Sequence, residues 1–338
     1  MARVAHPPCR PSAASVRPRA PATTKHSGFH DDDSIGTGAE KVRAEGRQND
    51  KGEWMNELVV GVDGSDGSRL ALRWSMVVAE RAGIPVRAVE AWSYPRLSVI
   101  SGAGDLAGPE EMDRRTVQDL EALIAEDHGT VPDYVGVQPL RGPAAGALLQ
   151  TVSAGSVLVL GSRGAGGFAG LLLGSVSREC AAHAPCPVVV VRGDEATLAS
   201  GGLILVGKDG TDGAAAALEW AVHLGKVTGA QVATVFAWEP TPSEVRPRLA
   251  ERLESSAQAA VEAWTEDVGN DVHALEVEGD PRDKLVEVAE TRKAQLLVVG
   301  RGMTGGFGRR PLGHVASAVL EESTTPVAII PLPEPNKG

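Results

Sequence analysis

The chain has 338 residues, a length that suits two average domains better than one. Its formal net charge of −11 argues against general nucleic-acid binding, because affinity for phosphate backbones comes from clustered lysine and arginine. Three cysteines, Cys9, Cys180 and Cys186, cannot make a disulfide framework or a four-ligand zinc site.

The composition also indicates the kind of core. Hydrophobic residues make up 42% of the chain but aromatic residues only 4%, so the cores must be aliphatic, which suits parallel sheets buried on both faces. No uninterrupted apolar stretch approaches the ~20 residues that cross a bilayer. The basic N-terminus contains no apolar segment typical of a secretory signal. We therefore expect a cytoplasmic protein without a membrane partner.

Residues 1–54 show no periodic apolar pattern. They are rich in Pro, Ala, Arg and Ser, and then in acidic residues and glycine. Such a segment cannot bury enough apolar surface to offset the entropy lost on ordering, so it is predicted to be a disordered N-terminal extension. Apolar patterning begins at Met55, which is a candidate for the true start of translation.

From Glu57 to Val191 the chain alternates between strand-like and helix-like segments. Buried apolar runs predict strands at Leu58–Val62, Pro85–Trp92, Val135–Leu140, Val157–Leu160 and Val188–Val191. Apolar residues at helical spacing predict helices that begin near Asp66 and that cover Glu110–Asp127, Pro143–Ser153 and Val176–His183. This βαβαβαβαβ order requires a mostly parallel sheet with helices on both faces and right-handed crossovers.

The whole pattern then repeats. The segment ELVVGVDGSDG from Glu57 returns as LILVGKDGTDG from Leu203, and Gly61 and Gly207, for example, are 146 positions apart (207 − 61). This is a tandem duplication. We assign a first module to residues 55–193, a linker to residues 194–202 and a second module to residues 203–334.

A glycine-rich loop follows the fourth strand of the first module. It runs from Gly161 to Gly174, after which Ser175 and Val176 begin a helix. Unpaired N–H groups at a helix N-terminus attract anions, and glycines let the chain approach a phosphate without a Cβ in the way. No lysine lies between Ser156 and Val176, so a Walker A loop is excluded. A dinucleotide fingerprint would follow the first strand instead.

The spacing G-x2-G-x9-G-[ST] is met by Gly161, Gly164, Gly174 and Ser175. In this the chain resembles the universal stress protein family, whose ATP-binding members carry that spacing between their fourth strand and last helix. The flanking segments LLLGSVS and PCPVVVV resemble the family as well. The resemblance implies tandem, doubly wound, Rossmann-like α/β modules, each a five-stranded, mostly parallel sheet in the order 3-2-1-4-5. It also implies bound ATP and Mg²⁺, and pairing of the modules through their terminal strands as a pseudo-dimer.

The resemblance also indicates which residues of the first module contact the nucleotide. The glycine loop and helix start are expected to hold the phosphates at Gly161, Ser162, Arg163, Gly164, Ala165, Gly166, Gly167, Gly174, Ser175 and Val176. Gly61 lets the ligand lie close to the end of the first strand. Ala91, at the end of the second strand, aligns with a small apolar position that contacts adenine in the family, and its other interpretation is simple core.

Asp63 follows a buried strand, where an acid is rarely needed for packing. In the family this position lies beside the nucleotide and its metal. Asp63 is therefore the candidate for contact with ribose, phosphate or Mg²⁺, for which a carboxylate is a suitable hard ligand. The alternative role of Asp63 is to cap the following helix, although Asp66 is favoured as that cap. Arg163 is either paired with a phosphate or solvated in an exposed loop.

The second module keeps part of this set. Its candidate positions are Gly207, Asp209, Gly300, Gly302, Gly305, Gly306 and Gly313, of which Gly302 stands where the first loop has Arg163. Met303 replaces the second motif glycine and His314 replaces the hydroxyl residue. Met303 adds a side chain where backbone should approach phosphate, so a lost site is favoured. The alternative is a shifted, weaker or pH-dependent site that uses Arg301, Arg309, Arg310 and a protonated His314. We expect about one tightly held nucleotide per chain.

No nucleophile and base stand together beside the glycine loop, so dedicated catalysis is not indicated, although slow hydrolysis of bound ATP stays open. The resemblance implies a nucleotide-dependent regulatory protein of the stress response, with a homodimer or an unidentified protein as its partner. An enzyme alternative comes from residues 63–68, DGSDGS, which loosely match the pyrophosphate loop of ATP-pyrophosphatase ligases but lack its paired glycines. An electron-transfer flavoprotein is a further alternative, testable by the visible absorbance of bound flavin.

Overall fold

The computed structural model describes residues 54–94, 107–164, 173–193, 202–238, 272–302 and 312–332. In the first half, the strands are β1 (Glu57–Gly61), β2 (Val86–Trp92), β3 (Val135–Arg141), β4 (Ser156–Gly161) and β5 (Val188–Val191). The helices of this half are α1 (Asp66–Ala82), α2 (Pro109–His128), α3 (Ala144–Thr151) and α4 (Ser175–His183). The second half contributes β6 (Leu203–Gly207), α5 (Asp212–Thr228), β7 (Gln231–Trp238), β8 (His273–Glu278), α6 (Pro281–Thr291), β9 (Leu296–Gly300), α7 (His314–Glu322) and β10 (Val327–Ile330).

The described strands form one ten-stranded sheet, in the order β3-β2-β1-β4-β5-β10-β9-β6-β7-β8. Within each half the paired strands are parallel, and each half has the predicted order 3-2-1-4-5. In the first half β1 and β4 are therefore neighbours, with Val59 opposite Leu158. The strand order reverses at this pair, and the loops after the two strands border the crevice where such sheets bind ligands.

Helices cover both faces of the sheet because the side chains of each strand alternate between them. Leu58 and Val157 belong to the core on the face of α1 and α2, whereas Val59 and Leu158 belong to the core on the face of α3 and α4. Every residue of β4 is buried, as expected for a central strand that is covered on both sides. The protein is thus an α/β protein with two tandem, doubly wound modules.

The two modules are joined through their last strands. β5 and β10 pair antiparallel, with Val189 opposite Ala328, and all the residues of both strands are buried. Each strand covers an edge that would otherwise expose unpaired backbone groups. This pairing is the one that the apolar terminal strands predict.

Helices from the two modules also meet beside the joined strands. The Arg81 guanidinium at the end of α1 donates to the carbonyl oxygen of Thr228 at the end of α5, at 2.9 Å. Arg178 of α4 forms an ion pair with Glu321 of α7, at 2.7 Å. Among the described helices, none combines the length and the apolar character needed to span a membrane.

Trp54 belongs to the folded part of the chain. Its indole stacks on His223 with ring centroids 5.4 Å apart, and it meets Trp220 edge-on at 6.5 Å. Both partners lie on α5, so the residue before Met55 is held by the second module. The assignment of Trp54 to the disordered extension is therefore wrong, because its aromatic partners are distant in the sequence. The other residues of that segment, 1–53, and the predicted linker at 194–201 lie outside the described residues.

A chain shortened to begin at Met55 loses the contacts of Trp54. We expect its free energy of unfolding to fall by about 1 kcal/mol or more, because an aromatic pair contributes about 0.5–1.5 kcal/mol beyond the burial of its area. Urea unfolding of the shortened chain and the full chain measures the difference. Trp54→Ala in the full chain isolates the side chain and should show the same loss. A shortened chain as stable as the full one would contradict the prediction.

Candidate functional site

Asp63 follows β1 and organises the turn that leads into α1. Its Oδ1 accepts hydrogen bonds from the backbone N–H of Ser65 at 3.1 Å and from the Ser65 hydroxyl at 2.6 Å. Ser65 in turn caps α1, because its Oγ accepts from the backbone N–H of Ser68 at 3.2 Å. The prediction that Asp66 is the cap is therefore wrong. Asp66 is the first residue of the helix, and the hydroxyl at the preceding position makes the cap.

The same turn reaches the glycine loop. An ideal Cβ placed on Gly164 would lie 2.3 Å from Oδ2 of Asp63, so a side chain at this position would collide with the carboxylate. The Ser65 hydroxyl also lies 3.3 Å from the carbonyl oxygen of Arg163. The loops after β1 and β4 therefore meet, as the neighbouring positions of those strands predict. With Asp63 in this position, glycine is the residue that fits at position 164 without a shift of the carboxylate.

Backbone contacts hold the stem of the glycine loop. The N–H of Ser162 donates to the carbonyl oxygen of Val191 at 3.0 Å, and the N–H of Gly174 donates to that of Ser162 at 2.7 Å. An ideal Cβ on Gly161 would lie 2.4 Å from the carbonyl carbon of Gly67, so the end of β4 packs backbone to backbone against the start of α1. The two ends of the loop are thus held together and attached to the sheet.

Helix α4 begins without a side-chain cap. Its N-cap residue is Gly174, which has no side chain to accept from the first N–H groups, and Ser175 is the first helical residue. Leading N–H groups of a helix need partners. At α1 the Ser65 hydroxyl supplies one, but among the described residues no side chain does so at α4. The positive end of α4 is therefore suited to an anionic ligand.

Ser177 attaches α4 to the end of β4. Its buried hydroxyl donates to the carbonyl oxygen of Gly161 at 2.7 Å. Ser177 is not among the predicted site residues, because its only local signal is a serine near the start of a helix. A comparison of the two modules would have pointed to it, because the corresponding residue of α7 is Ala316 and the hydroxyl is therefore particular to the first module. Ser68 of α1 was missed in the same way, and its hydroxyl donates to the carbonyl oxygen of Ser65 at 2.8 Å.

These elements enclose a cavity of about 490 Å³, within the range of roughly 300–1,000 Å³ that is typical of small-molecule sites. The predicted positions that line it are Gly61, Asp63, Ala91, Gly161, Arg163, Gly164, Gly174, Ser175 and Val176. Ser162 contributes its backbone to the loop stem. Three further predicted positions, Ala165, Gly166 and Gly167, lie outside the described residues.

One wall of the cavity is apolar. Val89 and Ala91 from β2, Leu148 from α3 and Leu160 from β4 form it. Ala91 is half-buried and packs against the core on the face of α3 and α4, so it is part of that core and also lines the cavity. An ideal Cβ on Gly61 would lie 2.5 Å from Cδ2 of Leu160, so the glycine lets this wall close against β1.

Glu90 brings a second carboxylate near Asp63. Burial raises the pKa of Glu90 on β2, and the neighbouring charges of Asp119 and Asp63 raise it further. Arg163 is exposed at the cavity and brings a positive charge to it. Among the described residues, no group of three His, Cys, Asp or Glu side chains is placed to hold a metal ion. A metal ion at Asp63 would therefore depend on oxygen atoms of a ligand or of water.

The second module keeps the stem of its own glycine loop. The N–H of Arg301 donates to the carbonyl oxygen of Ile330 at 2.8 Å, and the N–H of Gly313 donates to that of Arg301 at 2.8 Å. An ideal Cβ on Gly300 would lie 2.7 Å from the carbonyl carbon of Gly213. The contacts that hold the loop of the first module are thus repeated in the second.

The turn after β6 is repeated as well. Oδ1 of Asp209 accepts from the Thr211 N–H at 3.0 Å and from its hydroxyl at 2.6 Å, and Thr211 caps α5. Gly207 ends β6 in the position that corresponds to Gly61. Asp209 therefore forms the same turn as Asp63 although the motif of its glycine loop is broken.

The second module differs in its side chains. Lys208 replaces Val62 after β6, burial lowers the pKa of its amine, and its Nζ has no hydrogen-bond partner in the part of the chain that the structure describes. His314 is the exposed first residue of α7, whose N-cap is Gly313. Gly302 has a φ of 98°, in the left-handed region that favours glycine. The positions Met303, Gly305 and Gly306 lie outside the described residues.

Ser177→Ala removes the hydroxyl that bonds to Gly161. We expect the free energy of unfolding to fall by about 1–3 kcal/mol, because a buried acceptor loses its partner. Urea unfolding measures the change. Ser175→Ala is the matched control, since this serine is exposed at the same helix start, and its effect should stay below about 0.5 kcal/mol. If the two variants are equally stable, the buried hydrogen bond does not stabilise the fold.

Known proteins match both halves of the chain. A sequence model described as the Universal stress protein family matches residues 55–192 and 203–331. A universal stress protein of Mycolicibacterium smegmatis is 29% identical over 287 residues, which cover 81% of this chain and 96% of that protein. A universal stress protein of Mycobacterium tuberculosis strain H37Rv is 28% identical over 305 residues, which cover 82% of this chain and 95% of that protein.

A solved structure supports the fold. The crystal structure of a universal stress protein from Archaeoglobus fulgidus has a TM-score of 0.59 at 20% identity, and the match covers 82% of this chain and 98% of that one. The two matched segments of the family model together span both halves of the ten-stranded sheet. The chain therefore belongs to the universal stress protein family, with two tandem copies of its domain.

Proposed function

We propose that the first module binds an adenine nucleotide, ATP with Mg²⁺, and that the protein acts as a nucleotide-dependent regulatory module of the stress response. The observation that carries the proposal is the meeting of the uncapped N-terminus of α4, the glycine loop and the Asp63 turn in one cavity. Each of these features suits a different part of the ligand.

The polar side of the cavity suits the phosphates. Gly174, Ser175 and Val176 line it at the start of α4, where the leading N–H groups and the helix dipole favour an anion. The exposed guanidinium of Arg163 can form a charge-assisted hydrogen bond with a phosphate oxygen. Hydrogen bonds to charged groups contribute about 1.5–3 kcal/mol each, so these groups would supply much of the affinity.

The apolar wall suits the adenine base. Val89, Ala91 and Leu148 offer a surface without charged groups, and the missing Cβ of Gly61 lets Leu160 complete that surface against β1. Small-molecule sites commonly combine such an apolar lining with a few polar groups that fix orientation. A nucleotide bound in this cavity would set its base against these apolar residues and its phosphates at the start of α4.

Asp63 is the residue that would hold Mg²⁺. This ion usually keeps several waters and is bound by one or two carboxylates together with phosphates, so a single carboxylate beside a phosphate loop is sufficient. Oδ1 of Asp63 is engaged by Ser65, whereas Oδ2 lies on the side of Gly164. The positive charge of the ion would offset the repulsion between the phosphates and the carboxylates of Asp63 and Glu90.

The polar side chains of the cavity favour binding over dedicated catalysis. The hydroxyls of Ser68 and Ser177 donate to backbone carbonyl oxygens, and Asp63 organises a turn. A catalytic nucleophile needs an adjacent base that takes its proton, and these groups are engaged otherwise. The DGSDGS segment, on which the ATP-pyrophosphatase alternative depends, forms the turn and the capped start of α1, with Gly67 packed against Gly161.

Ser175→Glu tests the assignment of the phosphate site. An acidic residue in the first turn suits a helix, so α4 keeps its fold while the new carboxylate repels phosphate. We expect the ATP affinity, measured by isothermal titration in the presence of Mg²⁺, to fall about tenfold or more. His314→Glu makes the same change at the start of α7 and should leave this affinity unchanged. Equal ATP affinities of Ser175→Glu and wild type would show that the phosphates do not bind at the start of α4.

A second measurement counts the nucleotides. We expect about one tightly held nucleotide per chain, because the motif is complete in the first module and broken in the second. Nucleotide released from the purified protein, per mole of chain, gives the number, and a value near two would contradict the expectation. Visible absorbance of the same sample would instead favour the flavoprotein alternative. Pyrophosphate release from ATP with an acceptor substrate would favour the ligase alternative.

A further inference from the structure

Helix α4 of the first module ends on an arginine of the second module. Nη1 of Arg301 donates to the carbonyl oxygen of Ala184, the C-cap residue of α4, at 2.6 Å. The last carbonyl groups of a helix lack partners within the helix and carry the negative end of its dipole, so a guanidinium stabilises them. The start of α4 lines the cavity, and its end is held from the other module.

Arg301 is also part of the second glycine loop. Its backbone receives the N–H of Gly313 and donates to Ile330, which makes it the stem residue of that loop. The corresponding stem residue of the first module is Ser162, whose short side chain cannot reach another module. Arg301 thus connects two elements: its backbone belongs to the second glycine loop, and its side chain binds the end of helix α4.

A reciprocal contact runs in the other direction. Arg192, directly after β5, donates from Nη2 to the carbonyl oxygen of Leu320 at 2.8 Å and from Nη1 to that of Ser323, the C-cap residue of α7. The residue before it, Val191, accepts from the N–H of Ser162 in the first loop stem. Each glycine-loop helix is therefore capped at its end by an arginine next to the loop stem of the other module.

Burial means that these guanidinium groups need their hydrogen-bond partners on the protein. Arg192 is only 7% exposed, and burial lowers its pKa to about 10, so it stays charged at neutral pH with helix carbonyls as its partners. Helix α4 has nine residues, a length of roughly 13 Å at 1.5 Å per residue. A shift at the start of so short and rigid a helix displaces its end as well, where Arg301 is bound.

We propose that Arg301 and Arg192 couple the two modules, so that a nucleotide in the first cavity changes the second glycine loop and α7. Arg301 is on this account a positioning residue for the first cavity, which it supports through α4 without touching the ligand. The proposal rests on the proposed function for the identity of the ligand. It adds a route by which the second module changes when the first cavity is occupied. It gives a role to a second module whose own motif is broken.

Arg301 could instead serve only to hold the two modules together. A second contact between the same helices distinguishes this simpler role from coupling. Arg178 and Glu321 join the same helices, α4 and α7, through an exposed ion pair at 2.7 Å between side chains, which leaves the carbonyl groups of the helix ends uncontacted by it. Loss of adhesion alone would affect Arg178→Ala and Arg301→Gln alike. Coupling through the helix cap would affect Arg301→Gln only.

The experiment follows hydrogen exchange at residues 312–322 in the full chain, with and without ATP and Mg²⁺. We expect ATP to change exchange there in wild type and Arg178→Ala, but not in Arg301→Gln. The ATP affinity of Arg301→Gln should fall on the order of fivefold or more, the lower range of allosteric coupling. Wild-type affinity together with a wild-type exchange response in Arg301→Gln would overturn the proposal.

Ser175→Glu separates coupling from direct binding and does not depend on the folding of any Arg301 variant. Coupling predicts that the exchange response at residues 312–322 disappears when the first cavity is blocked. A response that persists in Ser175→Glu would mean that ATP acts on the second module directly, which contradicts the coupling. If wild type binds ATP and α7 does not respond, the coupling alone fails. If wild type binds no ATP, the proposed function fails and the coupling falls with it.

Discussion

Close backbone contact between the fourth strand and the first helix of each module sets the geometry of everything around it. Gly161 touches Gly67 in the first module, and Gly300 touches Gly213 in the second, at distances that leave no room for a Cβ. Protein interiors are packed too densely to absorb an added methyl group here without moving a strand or a helix. The contact fixes the position of the first helix. Because the Asp63 turn leads into that helix, it lies against the glycine loop.

The two modules share this scaffold and differ in the chemistry placed on it. The aspartate turn is formed by Asp63 with Ser65 and again by Asp209 with Thr211, so its structural role does not depend on a complete motif. In both modules the carboxylate is therefore part of the scaffold. The second module lacks one of the hydroxyl groups of the first, since Ala316 stands where the first module has Ser177.

The junction between the modules buries the positive charge of Arg192, although apolar side chains would be enough to hold the modules together. Taking a guanidinium out of water is costly, and the cost is offset only when its N–H groups find good acceptors. Arg192 finds them at Leu320 and Ser323, although its Nε has no partner among the described residues. Helix ends provide such acceptors because their carbonyl groups are unpaired. The antiparallel pairing of β5 with β10 brings these ends within reach.

Repetition and periodicity in the sequence determined most of the architecture. The alternation of apolar runs and amphipathic segments predicts the parallel sheet, and the copy of the DGSDG segment predicts two modules. The glycine spacing predicts the place of the site, because it is local and is read along one stretch of chain. These signals are strong because each depends on neighbouring residues.

Contacts between distant residues were decided only by the tertiary structure. Which of Asp63, Ser65 and Asp66 caps α1 depends on the backbone conformation of residues 63–66, which the residue types do not distinguish. The aromatic contact of Trp54 with α5 and the capping of α4 by Arg301 join segments that are far apart in the chain. A tryptophan or an arginine has the same local pattern whether it is solvated or buried in such a contact, because its partner is chosen by how the elements pack.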